Sequence, residues 1–437
     1  MSLFRFALFF ILSAWASVHA APLVPAPTHV LFDGEIRRLV DEAGIPGAAY
    51  AIVVDGRVES AYGIGVRELG GKAPVDADTV FRIASVSKTF TAQLVATLAD
   101  EGRLDWSLPL PRFAPEFRLK GGSEQRIRLQ HVIGQSSGLV PNAFDNLVDA
   151  GQSLQQILPQ FRTLEPSCAP GQCYGYQNIL YGLSVQAIEQ ASGRRYGDLL
   201  AQRVFEPLGM EHASVGRDAF FAAPDRALPH VRRDGGWQRV EVEPNYYQLP
   251  AAAGVNASAN DLALWLIAQM GGFPQTVRAA DVAMLTTPRV TTPKDLRRGH
   301  WKDLLASAHY GLGWRIYRIG GEPIVLHAGW VQGYVAEISY SPRLRTGLVV
   351  LLNAESGSTL NEIGSQFWQR ELAAFPAPAE ATRSAATPAS SRTAKPGAKV
   401  SASTPGKRNA PAARTGAARP AAPARNAARS PRGQGAP

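Results

Sequence analysis

The chain has 437 residues, 45% of them hydrophobic, which is enough for one or two large apolar cores. Its two cysteines exclude a cysteine-rich scaffold and an all-thiolate zinc site. The formal net charge of +9 would suit nucleic-acid binding, but residues 376–437 hold 3 Lys and 8 Arg against the single acid Glu380. The rest of the chain is nearly neutral, so no nucleic-acid partner is expected.

The N-terminus has the pattern of a secretory signal peptide. Arg5 is followed by an apolar run over residues 6–15 and by small residues that end at Ala20. The run is shorter than the roughly 20 residues that span a bilayer. We therefore predict a signal peptide over residues 1–20 and a periplasmic or secreted protein that is not transmembrane after processing. A retained signal anchor is the alternative.

Between the chain ends, residues 21–375 are predicted to form one catalytic domain. Residues 48–54 and 57–66 are strand-like and flank Asp55-Gly56, which favours a hairpin with a type I′ turn. Further strands are predicted at 311–319, 323–326, 334–340 and 347–352, and helices at 89–99, 179–191, 196–204, 260–270 and 360–375. These elements predict an α+β fold (an α/β sandwich), in which an antiparallel sheet built from both chain ends carries flanking helices and a mainly helical lobe.

The C-terminal 62 residues, 376–437, contain 20 Ala and 10 Pro and almost no large apolar side chains. Such a segment cannot offset its ordering entropy by burial. We predict a disordered basic tail that makes weak, salt-dependent contact with anionic polymers of the cell envelope. An inert, solubilising extension is the alternative.

A candidate nucleophile precedes the first helix of the middle region. Ser85 and Lys88 are three residues apart and share one helical face. Burial and the positive end of the helix dipole both favour a neutral lysine amine, which could accept the serine proton. By itself S-x-x-K is more often a helix cap beside a solvated lysine, so further motifs are needed.

Two further segments supply them. Tyr176-Gln177-Asn178 stands before a predicted helix, and His327-Ala328-Gly329 stands in a strand-like run before Trp330. In order and spacing, SVSK, YQN and HAG resemble the serine β-lactamase and DD-peptidase superfamily, in the branch of class C β-lactamases, D-alanyl-D-alanine carboxypeptidases and related esterases. The flanking segments IRLQHVIGQSSGL, FEPLGM and GYVAEISYSP also resemble this superfamily. The resemblance covers residues 33–372.

The resemblance implies catalytic roles for three residues. Ser85 would be the acylated nucleophile and Lys88 the base that activates it. Tyr176 would share that proton and deliver it to the leaving group, with a phenol pKa depressed by nearby cations. The sequence leaves open whether Lys88 or Tyr176 is the primary base, and it assigns the neighbouring Tyr174 to packing.

The resemblance also implies the substrate-binding residues. Asn178 would bind the substrate amide and steady Lys88, and Gly329 would allow close approach of the substrate. The backbone N–H groups of Ser85 and Trp330 would form an oxyanion hole.

His327 departs from the lysine that many β-lactamases have at its position. Histidine is only partly charged near neutral pH, so affinity for a substrate carboxylate, and with it efficient β-lactam turnover, is in doubt. No cofactor is expected. The alternative is a divalent metal such as zinc near His327, with His300 and His309.

A second serine motif and the two cysteines complete the sequence features. Ser136 lies in a G-x-S-x-G match, but Pro141 and Asn142 interrupt any helix after it, so we expect a loop residue rather than a nucleophile. Cys168 and Cys173 are predicted to form a small-loop disulfide in an oxidising compartment, with two free thiols as the alternative.

These features predict a periplasmic active-site-serine hydrolase that works through an acyl-enzyme. The β-lactam amide is the first expected substrate. D-Alanyl-D-alanine carboxypeptidase activity, or hydrolysis of esters or D-amino-acid derivatives, is the alternative at the same site. A hypothesis of another class is an envelope-binding module with weak catalysis.

Overall fold

The computed structural model describes residues 28–375, so the predicted signal peptide and basic tail lie outside the described residues. Within this range the strands are β1 (Gly47–Val54), β2 (Arg57–Gly65), β3 (Phe81–Arg82), β4 (Ser214–Val215), β5 (His230–Arg233), β6 (Gly236–Arg239), β7 (Val255–Ala257), β8 (Val290–Thr291), β9 (Leu305–Tyr310), β10 (Arg315–Ile319), β11 (Glu322–Val331), β12 (Tyr334–Ser341) and β13 (Thr346–Leu352).

The helices of the same range surround these strands. They are α1 (Thr28–Glu42), α2 (Ser87–Asp100), α3 (Leu110–Phe113), α4 (Leu129–Ile133), α5 (Asp145–Asp149), α6 (Leu154–Ile157), α7 (Asn178–Gly182), α8 (Ser184–Ser192), α9 (Tyr196–Leu200), α10 (Glu206–Leu208), α11 (Arg217–Ala222), α12 (Pro250–Ala253), α13 (Ala259–Gln269), α14 (Ala279–Leu285) and α15 (Gly357–Ala374). No helix among the described residues has the length and apolar character needed to cross a bilayer.

The main sheet joins the two ends of the described chain. Its eight strands run in the order β2-β1-β13-β12-β11-β10-β9-β8, and β1 pairs antiparallel with β13, so that Ala48 lies opposite Leu352. In the β1–β2 turn Asp55 and Gly56 have φ of 50° and 75°, the positive values that a type I′ turn needs. The predicted α+β architecture is confirmed.

Strand β1 is apolar along its length because both of its faces are covered. Ala49 and Ala51 belong to the large core between the sheet and the helical lobe, together with Trp265 of α13. Tyr50 belongs to the smaller core, with Phe367 of α15 on the opposite face. Alternation along a strand places successive side chains on opposite faces, so the sheet is sandwiched between helices.

Some predicted boundaries are wrong. The strand predicted at 311–319 begins only at Arg315, because Gly313, with φ of 76°, packs in a turn against α2. The helix predicted at 179–191 is divided between α7 and α8, and the one at 196–204 changes after α9 into a π-type turn over Ala201–Phe205. Strand β9 and helix α1 were not predicted.

Candidate active site

Ser85 stands at the entrance of α2, in a 3₁₀ turn over Ala84–Val86. Ala84 has a φ of 48°, and the Ser87 hydroxyl both donates to the Ala84 carbonyl and accepts the Val255 N–H. These bonds fix a turn that a non-glycine residue adopts only under constraint. Ser85 thereby faces a cleft of about 440 Å³ between the sheet and the helical lobe.

Lys88, one turn further along α2, is fully buried beneath Ser85. Its Nζ lies 3.0 Å from Ser85 Oγ, 2.8 Å from Asn178 Oδ1 and 3.0 Å from the Ala252 carbonyl oxygen. Burial lowers the pKa of the Lys88 amine well below its ordinary value, against the opposing charge of Asp145, and the positive charge of Arg315 adds to the lowering. The amine is therefore biased towards its neutral form.

The partners of Lys88 determine where its lone pair points. The Ala252 carbonyl can only accept a hydrogen bond, and Asn178 offers Oδ1 because its Nδ2 donates to Asp145 Oδ2 at 2.7 Å. A neutral amine has two N–H groups, and these two acceptors take both. The remaining partner is Ser85 Oγ, so the lone pair of the amine faces the serine proton.

Tyr176 completes the cluster on the other side of Ser85. Its phenol hydrogen-bonds with Ser85, and its ring centroid lies 4.8 Å from Lys88 Nζ. Burial raises the pKa of Tyr176 above its ordinary value, so the predicted depression of this pKa is wrong. Desolvation raises the pKa of the phenol by more than the nearby positive charge lowers it, so the phenol keeps its proton. Neighbouring Tyr174 accepts a hydrogen bond from Arg315 Nη2 at 3.0 Å, which adds anchoring to its predicted packing role.

Asp145 is one residue of the site that sequence reasoning missed. It begins α5, directly after Phe144, which has a φ of 63°. Burial raises the pKa of Asp145 to about 6, against the opposing influence of the Asn178 hydrogen bond and the Lys88 charge. A lone acid in the segment NAFDNL carries no sequence signal, because its link to Lys88 runs through Asn178, 33 residues later.

The G-x-S-x-G segment supports the tyrosine loop. The Ser136 carbonyl accepts the Gly171 N–H at 2.7 Å, and Gln135 Oε1 accepts the Gln177 N–H at 2.7 Å. Helix α4 ends at Ile133, and a loop rather than a helix follows Ser136, as the sequence predicts. The loop beyond is closed by the predicted disulfide between Cys168 and Cys173, which is confirmed.

Strand β11 forms the sheet wall of the cleft. Its pairing with β10 stops where Leu326 meets Arg315, which leaves residues 327–331 open on that side. A Cβ on Gly329 would collide with the Ile83 carbonyl and lie 3.0 Å from Ser85 N, so only glycine allows the strand to pack onto the serine turn.

The backbone of the same strand points usable groups into the cleft. Val331 of β11 and Tyr334 of β12 flank a two-residue turn and therefore form a hydrogen-bonded pair with each other. By alternation, the backbone groups of Ala328 and Trp330 point away from β12, towards the open side. The Trp330 N–H thus lies on the side that faces Ser85.

His327 is fully buried and uncharged. Its Nδ1 lies 2.9 Å from the Ala328 carbonyl and its Nε2 lies 3.2 Å from the Tyr310 hydroxyl. Burial, with the charges of Arg315 and Lys88, lowers the pKa of His327 well below its ordinary value. The expectation of partial charge near neutral pH is therefore wrong.

Two arginines supply the positive charge that His327 lacks. Arg315 is nearly buried, forms an ion pair with Asp295, and lies with its guanidinium carbon 5.8 Å from the Tyr176 ring centroid. Arg298 is half-buried in the wall of the cleft, and among the described residues its side chain has no ion-pair or hydrogen-bond partner. Both guanidinium groups escaped sequence reasoning, because neither belongs to a local motif.

The structure does not bring the three histidines of the metal alternative together. His300 lies 3.8 Å from Glu362, and His309 precedes Tyr310 on β9, so its side chain takes the face opposite to the Tyr310 side chain that contacts His327. Across residues 28–375 no group of three or more His, Cys, Asp or Glu side chains is arranged to hold a metal ion.

The fold and this Ser-Lys-Tyr cluster define a protein of the penicillin-binding and β-lactamase class. The solved octameric penicillin-binding protein homologue from Pyrococcus abyssi has the same fold, with a TM-score of 0.69 and 24% identity over 79% of this chain and 77% of that one. The Beta-lactamase family profile matches residues 32–367. The chain belongs to the beta-lactamase family, whose members are serine hydrolases.

Three curated relatives are each similar to about three quarters of this chain. An unguisins hydrolase (ungD) from Aspergillus violaceofuscus is 26% identical over 74% of this chain and 61% of its own length. Protein flp of Staphylococcus aureus (strain NCTC 8325 / PS 47) is 24% identical over 74% and 63%, and a beta-lactamase of Yersinia enterocolitica is 24% identical over 75% and 78%. The chain spans about three fifths of the length of the Aspergillus and Staphylococcus relatives.

Proposed function

We propose that this protein hydrolyses the amide bond of β-lactams through an acyl-enzyme on Ser85, as a class C-like enzyme of the periplasm. The observation that carries the proposal is the environment of Lys88 Nζ, a buried amine with two fixed acceptors and a third contact at 3.0 Å to Ser85 Oγ. The Cys168–Cys173 disulfide supports an oxidising compartment.

In the acylation step, neutral Lys88 is the base. Its lone pair takes the proton of Ser85 Oγ, and the oxygen attacks the substrate carbonyl carbon. The charge that develops on the carbonyl oxygen is stabilised by the N–H groups of Ser85 and Trp330. The raised pKa of Tyr176 argues against a phenolate base, which favours Lys88 for this role.

Tyr176 then acts as the proton carrier. When the C–N bond breaks, the phenol O–H passes its proton to the leaving nitrogen, and the Lys88 ammonium returns one to the phenol oxygen. The site regains a neutral lysine, and a water molecule can be deprotonated in the same way to release the acyl group from Ser85 Oγ.

The leaving side of the substrate, which is the part that carries the leaving nitrogen, would be recognised through its carboxylate. His327 is neutral, so the cations of the cleft are Arg298 and Arg315. Asp295 already neutralises much of the Arg315 charge. The unpaired Arg298 is therefore the better candidate for a charge-assisted hydrogen bond to the substrate.

The experiment is to incubate the purified protein with a chromogenic cephalosporin and follow ring opening, with mass spectrometry of the quenched protein. We expect turnover and a transient adduct on Ser85, both abolished by Ser85→Ala and retained by Ser136→Ala, because Ser136 lies outside the cleft lining. No hydrolysis and no adduct with any β-lactam would refute the proposal. If D-alanyl peptides and esters were not hydrolysed either, an envelope-binding module would be favoured.

D-Alanyl-D-alanine carboxypeptidase activity is the second candidate. A further cavity of about 540 Å³ adjoins the cleft and leaves room for a substrate larger than a β-lactam. A β-lactam adduct that persists for hours, together with release of D-alanine from a peptide, would favour this candidate over β-lactam hydrolysis.

A further inference from the structure

A second cavity opens beside the catalytic cleft. It measures about 540 Å³, within the usual range for small-molecule sites, and shares Asp149, Tyr246 and Trp330 with the cleft. Trp330 directly follows Gly329 on β11 and is 52% exposed despite its size. An exposed tryptophan between two connected cavities offers an apolar surface to a ligand that spans them.

The wall of this cavity contains an unusual arginine. Arg82 lies three residues before Ser85 and is only 2% exposed. Its guanidinium lies 4.1 Å from the Tyr247 ring centroid, and Nη1 donates to the Glu243 carbonyl oxygen at 3.3 Å. Its Nε has no hydrogen-bond partner among the described residues, and Glu243, whose side chain is exposed, is the carboxylate whose charge acts on it. A buried cation that only an exposed carboxylate offsets is costly, which points to an anion that arrives with the ligand.

The rim adds positive charge. Arg232 and Arg233 follow one another on β5 and are exposed there, and both line the cavity.

The same cavity also contains three acids, Asp149, Glu243 and Glu355. Asp149 hydrogen-bonds with the Tyr246 side chain, and Glu355 accepts the Gly333 N–H at 2.8 Å. Burial raises the pKa of both carboxyls. The third acid, Glu243, is exposed to solvent. The cavity thus contains as many acids as arginines, and the case for an anion rests on the burial of Arg82 rather than on an excess of positive charge.

The direction of the cleft indicates which part of the substrate reaches this cavity. Tyr176, the proposed proton donor to the leaving group, lies at the His327 end of β11, where their ring centroids are 6.5 Å apart. The cavity lies beyond Trp330, at Val331 and Gln332. If the leaving group of a substrate bound along β11 lies at the His327 end, its acyl side lies at the Trp330 end and would enter the cavity.

We propose that this cavity is a subsite for the acyl side of the substrate and that it selects acyl groups that end in a carboxylate. Arg82 and Arg232 bind the anion, and Trp330 packs on the chain that leads to it. This inference rests on the proposed function, because it needs Ser85 to be the acylated residue.

The test uses two peptides that differ in one group, glutaryl-D-alanyl-D-alanine and pentanoyl-D-alanyl-D-alanine. Their binding to the full chain carrying Ser85→Ala is measured by calorimetry, so that turnover does not interfere. We expect the glutaryl peptide to bind about tenfold more tightly, as a charge-assisted hydrogen bond would give. Adding Arg232→Gln should reduce this ratio, whereas Arg239→Gln, on the same hairpin but outside the cavity lining, should preserve it.

Arg82→Gln should abolish the preference. If this buried substitution prevents folding, Arg232→Gln alone decides. Equal binding of the two peptides, or a ratio that Arg232→Gln leaves unchanged, would overturn the subsite while leaving the proposed function intact. Failure of the proposed function would appear differently, as wild-type protein that no β-lactam or peptide acylates at Ser85.

Discussion

The helical wall and the sheet wall of the cleft hold their charges in different ways. On the helical wall, Lys88, Asn178 and Asp145 form a chain of short hydrogen bonds, and two of its groups have pKa values displaced towards neutrality. On the sheet wall, His327 is neutral and Arg315 keeps a fixed charge paired with Asp295.

This difference separates two tasks. Groups whose pKa values lie near the working pH can exchange protons, whereas arginine keeps its charge and can only attract anions. The helical wall is thus suited to proton transfer and the sheet wall to recognition. Substitutions on the first should change kcat, and substitutions on the second should change KM.

The largest effect is expected from Lys88→Met, which keeps the length and burial of the side chain but removes the base. General base catalysis contributes roughly 10²- to 10⁴-fold, so kcat for acylation should fall by about 10³-fold. The measurement is the rate of Ser85 adduct formation by stopped-flow and mass spectrometry. Lys120→Met, at an exposed lysine that pairs with Glu165, is the control. A Lys88→Met protein that acylates at near the wild-type rate would remove Lys88 as the base.

The two walls also differ in how far the sequence predicts them. Ser85, Lys88, Tyr176 and Asn178 stand in short motifs, because each must keep a fixed place on a helix start or a loop. The hairpin, the sheet built from both chain ends and the small disulfide also follow from local patterns. These features were therefore predictable.

The charges that tune the site were not predictable in the same way. Arg298 lies 29 residues before His327, and Asp145 lies 33 residues before Asn178, with no local pattern that joins them. The pKa values of Tyr176 and His327 depend on burial, which the motif alone does not show. Sequence reasoning therefore gave Tyr176 a depressed pKa and His327 a partial charge, and both were wrong.

A smaller effect is expected from Arg298→Gln, which tests recognition on the sheet wall. Loss of a charge-assisted hydrogen bond should raise KM about tenfold for a substrate whose leaving side carries a carboxylate, with kcat little changed. Steady-state kinetics on that substrate and on its methyl ester measures the effect. Arg297→Gln, at the exposed neighbour outside the cleft lining, should leave KM unchanged. An equal rise of KM for the acid and the ester would mean that Arg298 shapes the cleft without binding the carboxylate.

The smallest effect, on the helical wall, is expected from Asp145→Asn. The Asp145 carboxylate raises the pKa of Lys88, against the dominant lowering by burial. Lys88 must be neutral to act as a base, so kcat/KM falls as pH drops through its pKa. Removing the carboxylate lowers that pKa further and also removes the group that titrates at about 6. The acidic limb of the profile should therefore move to lower pH.

The groups that face Asp145 make Asp149→Asn the matched control. Lys88 and Asn178 face it from α2 and α7, Tyr246 faces it from a neighbouring 3₁₀ turn, and Asp149 lies one turn along the same helix. Because Asp149 bonds to Tyr246 and is not bonded to Asn178, its substitution should shift the acidic limb less. Asp145→Asn can still accept the Asn178 hydrogen bond through its amide oxygen, so kcat at the optimum should fall only a few-fold. A lowered kcat with an unmoved pH profile would mean that Asp145 only supports Asn178 structurally. Proton exchange beside Ser85 would then be assigned to Lys88 and Tyr176.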